Sequence, residues 1–276
     1  FCVPQLTALH EKDEPKLFIT NVSEETATVT IEMPRNPSGF PVQTLTIPAG
    51  EQRSYNFKDY FTGDVSQKTD AYNIIESGLA TGVKNGHVIY ESCQVLNKGL
   101  HITSDQPVTA YLQRGNTYNC DIWALKGSNA LGTYFIAPSE EIGNCNEVHD
   151  SRMKAESATK PGAWNAIDIV AAEDCQVTVT LRDTGLVTQW PKNTKTATFK
   201  MKRGQSLNLQ AASQVTIVNN NNSPYNSWKD KNLTGTIIKS TGKIAVQWKD
   251  DSLLARWVHE DALTNGNGTK KTEGGQ

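Results

Sequence analysis

Apolar and polar positions alternate along most of the chain, in short runs. Ala27-Thr28-Val29-Thr30-Ile31, Val42 to Ile47, Val108 to Leu112, Val177 to Leu181 and Ile244 to Trp248 read as period-two or buried strands. Turn chemistry sits between such runs: Asn85-Gly86 suits a type I′ hairpin, and Asp183-Thr184-Gly185 and Thr241-Gly242 mark further reversals. The best helical candidate, Asp70 to Leu79, is short and runs into a Thr-Gly pair. The pattern predicts an all-β protein. Its roughly sixteen strand-like runs are what two antiparallel β-sandwich domains would use.

An internal echo organises the runs. Phe18 to Ile31 aligns with Asp168 to Leu181 without a gap: Ile19 meets Ile169, Glu24 meets Asp174, and Thr28-Val29-Thr30 meets Thr178-Val179-Thr180. Each copy is a strand, an acidic turn and an alternating strand, the pattern of a β-hairpin. Gly99, Ile102, Ser104 and Val108 recur at equal spacing as Gly235, Ile238, Ser240 and Ile244, and the Gly50 turn recurs at Gly204. Three echoes in the same order predict a tandem duplication, with a repeat too long for a solenoid unit of roughly 20–50 residues. The expected organisation is a first β-sandwich domain over 1–137 and a linker or long surface loop over 138–164. A second β-sandwich domain over 165–262 and a flexible tail over 263–276 follow. The first copy carries an insertion around Asp59–Val95.

Composition narrows the function. At 276 residues each half is long enough to bury a core, and the 37% hydrophobic and 20% charged content is that of a globular chain. A net charge of −2 gives no basic field for a phosphate backbone, so nucleic acid is not an expected partner. No apolar run approaches the roughly 18–20 residues of a bilayer span, so membrane insertion is not expected. The chain opens on Phe1-Cys2-Val3-Pro4 rather than Met, which predicts a processed, exported form, secreted or at the cell surface. Cys2, Cys93, Cys120, Cys145 and Cys175 include no C-x-x-C pair, which weakens zinc-ribbon and thioredoxin-like readings. In an oxidising compartment at least one disulfide is expected, Cys120 with Cys93 or Cys145.

Several short elements carry a family resemblance. Gly99-Leu100-His101-Ile102-Thr103-Ser104-Asp105-Gln106-Pro107-Val108 resembles a segment of the N-terminal domain of IgG-Fc-binding proteins. Asp121-Ile122-Trp123-Ala124-Leu125 and Ala130-Leu131-Gly132-Thr133-Tyr134 follow at family-like spacing. Ile167 to Thr180, and Leu233-Thr234-Gly235-Thr236 with Ile238 and Ser240, are similar to later elements of that domain. The resemblance covers about residues 85–250. It departs after Val246, where Lys249 to Trp257 replaces a Cys/His-containing stretch. It implies an extracellular, surface or mucus-associated adhesive module, without implying that this chain binds antibody.

Chemistry adds little to that picture. His10, His87, His101, His149 and His259 show no i,i+4 or H-x-H pairing, so no metal site is assigned, nor any cofactor. No G-x-S-x-G, Walker loop or G-x-G-x-x-G is present, and no catalytic residue is assigned. Glu24-Glu25 and Glu173-Asp174 could serve glycoside hydrolysis, but their matching turn positions favour a structural role. The expected contact residues are Tyr225 and Trp228, with Asn222 and Asn226 as hydrogen-bonding neighbours, because an Asn-rich loop offers two rings little core to hide in. The other tryptophans, Trp123, Trp164, Trp190, Trp248 and Trp257, mostly read as core. The chain reads as a non-enzymatic adhesion or recognition module for an extracellular protein or glycan. A structural spacer within a larger surface assembly is the rival, and a glycosidase a distant third.

Overall fold

The alternating runs become strands. In chain order these are β1 (Lys16–Asn21), β2 (Ala27–Glu32), β3 (Gln43–Ile47), β4 (Gln52–Asn56), β5 (Leu79–Lys84), β6 (His87–Glu91), β7 (Val95–Leu96), β8 (His101–Ser104) and β9 (Val108–Gly115). Then come β10 (Cys120–Leu125), β11 (Gly132–Ile136), β12 (Asn165–Ala171), β13 (Cys175–Thr180), β14 (Thr196–Met201), β15 (Ser206–Gln210), β16 (Ile237–Asp250), β17 (Thr264–Asn265) and β18 (Thr269–Lys270). The computed structural model describes residues 15–60, 79–84, 87–115, 120–138, 165–187, 189–211 and 233–250, with 264–265 and 269–270. Among the described residues there is no α-helix, and every strand pairing is antiparallel.

The first unit is two sheets face to face, β10-β9-β1-β4 and β3-β2-β8. Alternation decides what lies between them: Leu17 and Ile19 of β1 and Leu112 of β9 meet Ala27, Val29 and Ile31 of β2, with Phe40 and Phe57 closing the layer. Burial of such side chains contributes about 1.5–3 kcal/mol each and is the main reason the sheets associate. The β5–β6 hairpin lies within the stretch read as an insertion, its strands flanking Asn85-Gly86.

The second unit uses the same ladder. Ile19 pairs with Arg53 on β4 and Ala110 on β9, and Ile169 pairs with Leu207 on β15 and Val246 on β16. In the first unit's other sheet Val29 pairs with Leu45 and Ser104, as Val177 does with Phe199 and Ser240 within the single sheet β14-β13-β16-β12-β15-β7. The expected hairpins β1–β2 and β12–β13 therefore do not form. Val29 therefore corresponds in the ladder to Val177, two residues from the Val179 of the ungapped alignment. The turn after β12 (172–174) is two residues shorter than the turn after β1 (22–26), and an even slip keeps every side chain on its own face. One strand, β16, replaces the pair β8 and β9: its first half pairs with β13 and its second half with β12.

Two elements cross between the units. β7 adds to the edge of β15, and β11 pairs with β16, although both precede residue 138. Around the turn before β15 the units touch directly. Gly99 N–H donates to the Gly204 carbonyl (3.1 Å), Arg35 Nε donates to the Arg203 carbonyl (2.9 Å), and Gln205 Nε2 donates to Asn97 Oδ1 (2.9 Å). Gly99 has to be glycine here, since an added Cβ would lie 2.8 Å from the Gly204 oxygen. In the stretch read as a flexible tail, β17 pairs with β18.

Candidate recognition surface

The four residues expected to contact a ligand, Tyr225, Trp228, Asn222 and Asn226, lie outside the described residues. Of the tryptophans assigned to core, Trp190 is buried, while Trp248 and Trp123 are half-buried against the second and first cores. Trp164 and Trp257 fall outside the described residues. The acidic turns do structural work. Glu173 accepts from the Lys243 backbone N–H (3.1 Å), and Asp174 accepts from the Arg203 backbone N–H (2.9 Å) and Lys202 Nζ (2.8 Å). The Lys202 and Arg203 hydrogen bonds hold the Asp174 carboxyl below its usual range, as expected of a solvated turn ion pair. Glu25 accepts from Gln106 Nε2 (3.1 Å).

Of the two cysteine side chains that are described, Cys175 is a buried free thiol at the start of β13. Burial pushes the Cys93 thiol up, with a contact to Ser92 Oγ opposing, so it is not an activated thiolate. Among the described residues no three His, Cys, Asp or Glu side chains gather as metal ligands.

What the described surface does offer is apolar. On β11, Phe135 packs against the second core, so Tyr134 and Ile136 on either side must face outward, and they are 54% and 53% exposed. Across the ladder Tyr134 meets Lys239 and Ile136 meets Ile237 on β16, and Lys239 Nζ stands 5.7 Å from the Tyr134 ring centroid. Beyond β16 the same face continues as a threonine ladder, Thr178 with Thr198 (3.0 Å) and Thr180 with Thr196 (3.2 Å). The result is an open sheet face with an aromatic, two isoleucines and one cation at one side and hydroxyls at the other. The sequence reading overlooked it. The signal was the run Tyr134-Phe135-Ile136, because three consecutive apolar residues in a strand cannot all point inward.

A second open face lies in the first unit, on the β10-β9-β1-β4 sheet. Phe18, Tyr111 and Ala124 lie side by side across β1, β9 and β10, with Ile122 one step along; Tyr111 is 41% and Ile122 63% exposed. Lys16, Gln113, Thr20 and Thr109 flank that strip.

An all-β protein with open, aromatic-bearing sheet faces presents surfaces of the kind binding domains use. Residues 123–252 match the family model described as IgGFc binding protein, a family of binding domains. The matched stretch takes in β11 to β16 and therefore the Tyr134–Ile136 face. No curated protein matches the chain. The longest apolar segments are strands, and no described helix is long and apolar enough to cross a membrane.

Proposed function

We propose that this chain is an extracellular, non-enzymatic recognition module that binds a protein partner through the open face bearing Tyr134, Ile136, Ile237 and Lys239. The observation that carries the reading is the double exposure of Tyr134 and Ile136 on one strand inside the family-matched stretch. Half-exposed aromatic and aliphatic side chains grouped beside a cation are the composition of an interface centre. The same reading takes the two units as tandem copies of one domain, supported by their common ladder. It keeps Tyr225 and Trp228, with Asn222 and Asn226, as a further contact loop. Of the two expected partners of Cys120 it keeps Cys145 as a rim staple, since Cys93 is a thiol in contact with Ser92 Oγ.

The test is an array of extracellular proteins, the IgG Fc region first among them, and of glycans, probed with the whole chain. A protein hit whose affinity falls about tenfold or more in Tyr134→Ala/Ile136→Ala supports the reading, since a contact of this kind contributes on the order of 1–3 kcal/mol. The same loss in Trp228→Ala alone moves the contact to the Asn-rich loop. Silence across the array favours a structural spacer, and turnover of any hit revives a glycosidase.

A further inference from the structure

The outer face of the β15-β12-β16 sheet holds a charged group that recognition does not use. Asp168 on β12 is wholly buried, and Lys249 Nζ on β16 lies 2.6 Å from its Oδ2, with side chains 0% and 4% exposed respectively. That contact lacks the alignment of a hydrogen bond, although the atoms touch. On the opposite neighbour, β15, Asn208 is 1% exposed and donates from Nδ2 to Asp168 Oδ1 (2.8 Å). Directly across from Asp168 on β16, Gln247 has a buried Nε2 with no hydrogen-bond partner. Three adjacent strands thus bring an amine to one oxygen of a carboxyl and an amide donor to the other, away from water.

We propose that Lys249 and Asp168 form an intramolecular amide cross-link. The step begins with transfer of one ammonium proton to Asp168 Oδ2 across the 2.6 Å contact, in a site shielded from water. The neutral Lys249 Nζ then attacks Asp168 Cγ. Negative charge develops on Oδ1, where the Asn208 N–H already points, which is the arrangement that stabilises an acyl-transfer intermediate. The Nζ–Cγ bond forms and the Cγ–Oδ2 bond breaks. Oδ2 leaves as water, carrying the proton first received from the ammonium and a second from the attacking nitrogen. Nothing is oxidised or reduced, and no co-reactant is needed. The product is a secondary amide that ties β12 to β16 covalently, with Asn208 still donating to its carbonyl.

The experiment is intact mass spectrometry of the full chain after cysteine reduction, followed by digestion and sequencing of the peptides. The expected result is a mass one water below that of the sequence and a branched peptide joining the Lys249 and Asp168 segments. Lys249→Arg should restore the full mass. The wild-type measurement decides the matter even where that variant fails to fold. An unmodified mass, with Lys249 accepting acetylation once the chain is denatured, overturns the proposal. So does a water lost elsewhere with Lys249 still acetylatable. A deficit of one ammonia with the branch at Asn208 overturns Asp168 as the acceptor.

Discussion

The two units put the same ladder positions to opposite uses. In the first, Phe18 on β1 sits between Ser54 and Tyr111, with Gln113 one step further along β9, and the face they form is open. In the second, Asp168 on β12 sits between Asn208 and Gln247, with Lys249 one step further along β16, and that face is buried and charged. The inner face hardly changes: Leu17, Ile19 and Leu112 stand where Ile167, Ile169 and Trp248 stand. Inward positions are constrained by packing inside a core, so they stay apolar, at equal volume for Ile19 and Ile169 and with a Trp in place of a Leu at Leu112 and Trp248. Outward positions are constrained only by what covers them, and they differ freely between the units.

The largest effect should fall at the most divergent position. Asp168→Ala removes one partner of a buried pair and should cost about 3–5 kcal/mol of stability, whereas Phe18→Ala at the corresponding open position should cost about 1 kcal/mol or less. Urea unfolding of the two variants reads the difference, and equal losses would erase the contrast drawn here. Next come the conserved-volume core positions. Ile19→Ala and Ile169→Ala should each cost about 2–5 kcal/mol, and hydrogen exchange should show lost protection confined to the mutated unit. Loss spreading across both units from either variant would make them one cooperative body.

Smaller effects separate the turns. Gly50 and Gly204 both hold positive φ, +71° and +80°, so alanine is strained by roughly 1–2 kcal/mol at either. A Cβ at Gly50 meets nothing within 4 Å, while at Gly204 it presses on Pro34 Cβ at 3.3 Å and Arg35 Cγ at 3.4 Å. Gly204→Ala should therefore have the larger drop in Tm, and Gly50→Ala matching it would mean that the junction yields. The smallest effect is alkaline. Burial, reinforced by Tyr60, pushes the Tyr55 phenol from 10.0 up to about 12, while Leu209 occupies the corresponding place in the second unit. The folded state favours the neutral phenol. That contribution is complete below pH 10.0 and disappears as the pH rises through about 12. Tyr55→Phe should flatten the pH dependence of first-unit stability in this window, and an unchanged profile would refute the assignment.

Much of this fold was legible because alternation encodes which face a residue takes. The strands within Phe18–Ile31 and Asp168–Leu181, the turns at Gly50 and Gly204, and the Ser104–Ser240 correspondence all surface in the structure. Neither echo, however, is the hairpin its pattern predicts: β1 pairs with β4 and β9 while β2 pairs with β3 and β8, and β16 stands between β12 and β13. Pairing partners were harder. Val95-Leu96 and Gly132 to Ile136 are too short to declare their neighbours, and both join strands more than 100 residues later in the chain. The buried charges were the least legible. A polar residue at an outward position reads as solvated, and nothing local to Asp168 or Lys249 announces that both side chains are shielded from water. The open faces were half legible, since Tyr134-Phe135-Ile136 demanded an exposed apolar residue somewhere.

The long strand β16 has a consequence for how the chain is made. At 14 residues and roughly 3.3 Å per residue, β16 extends about 46 Å and supplies the central partner of β11, β12 and β13. During synthesis those three strands emerge first, with apolar side chains such as Ile169, Val177 and Phe135 and with unfilled edges, and wait for a strand made after them. A first unit complete by residue 125 can close on its own schedule, but the second cannot close before residue 250 has emerged. The interval is an exposure to mispairing, above all with the matching strands of another nascent copy, that only the emergence of β16 brings to an end.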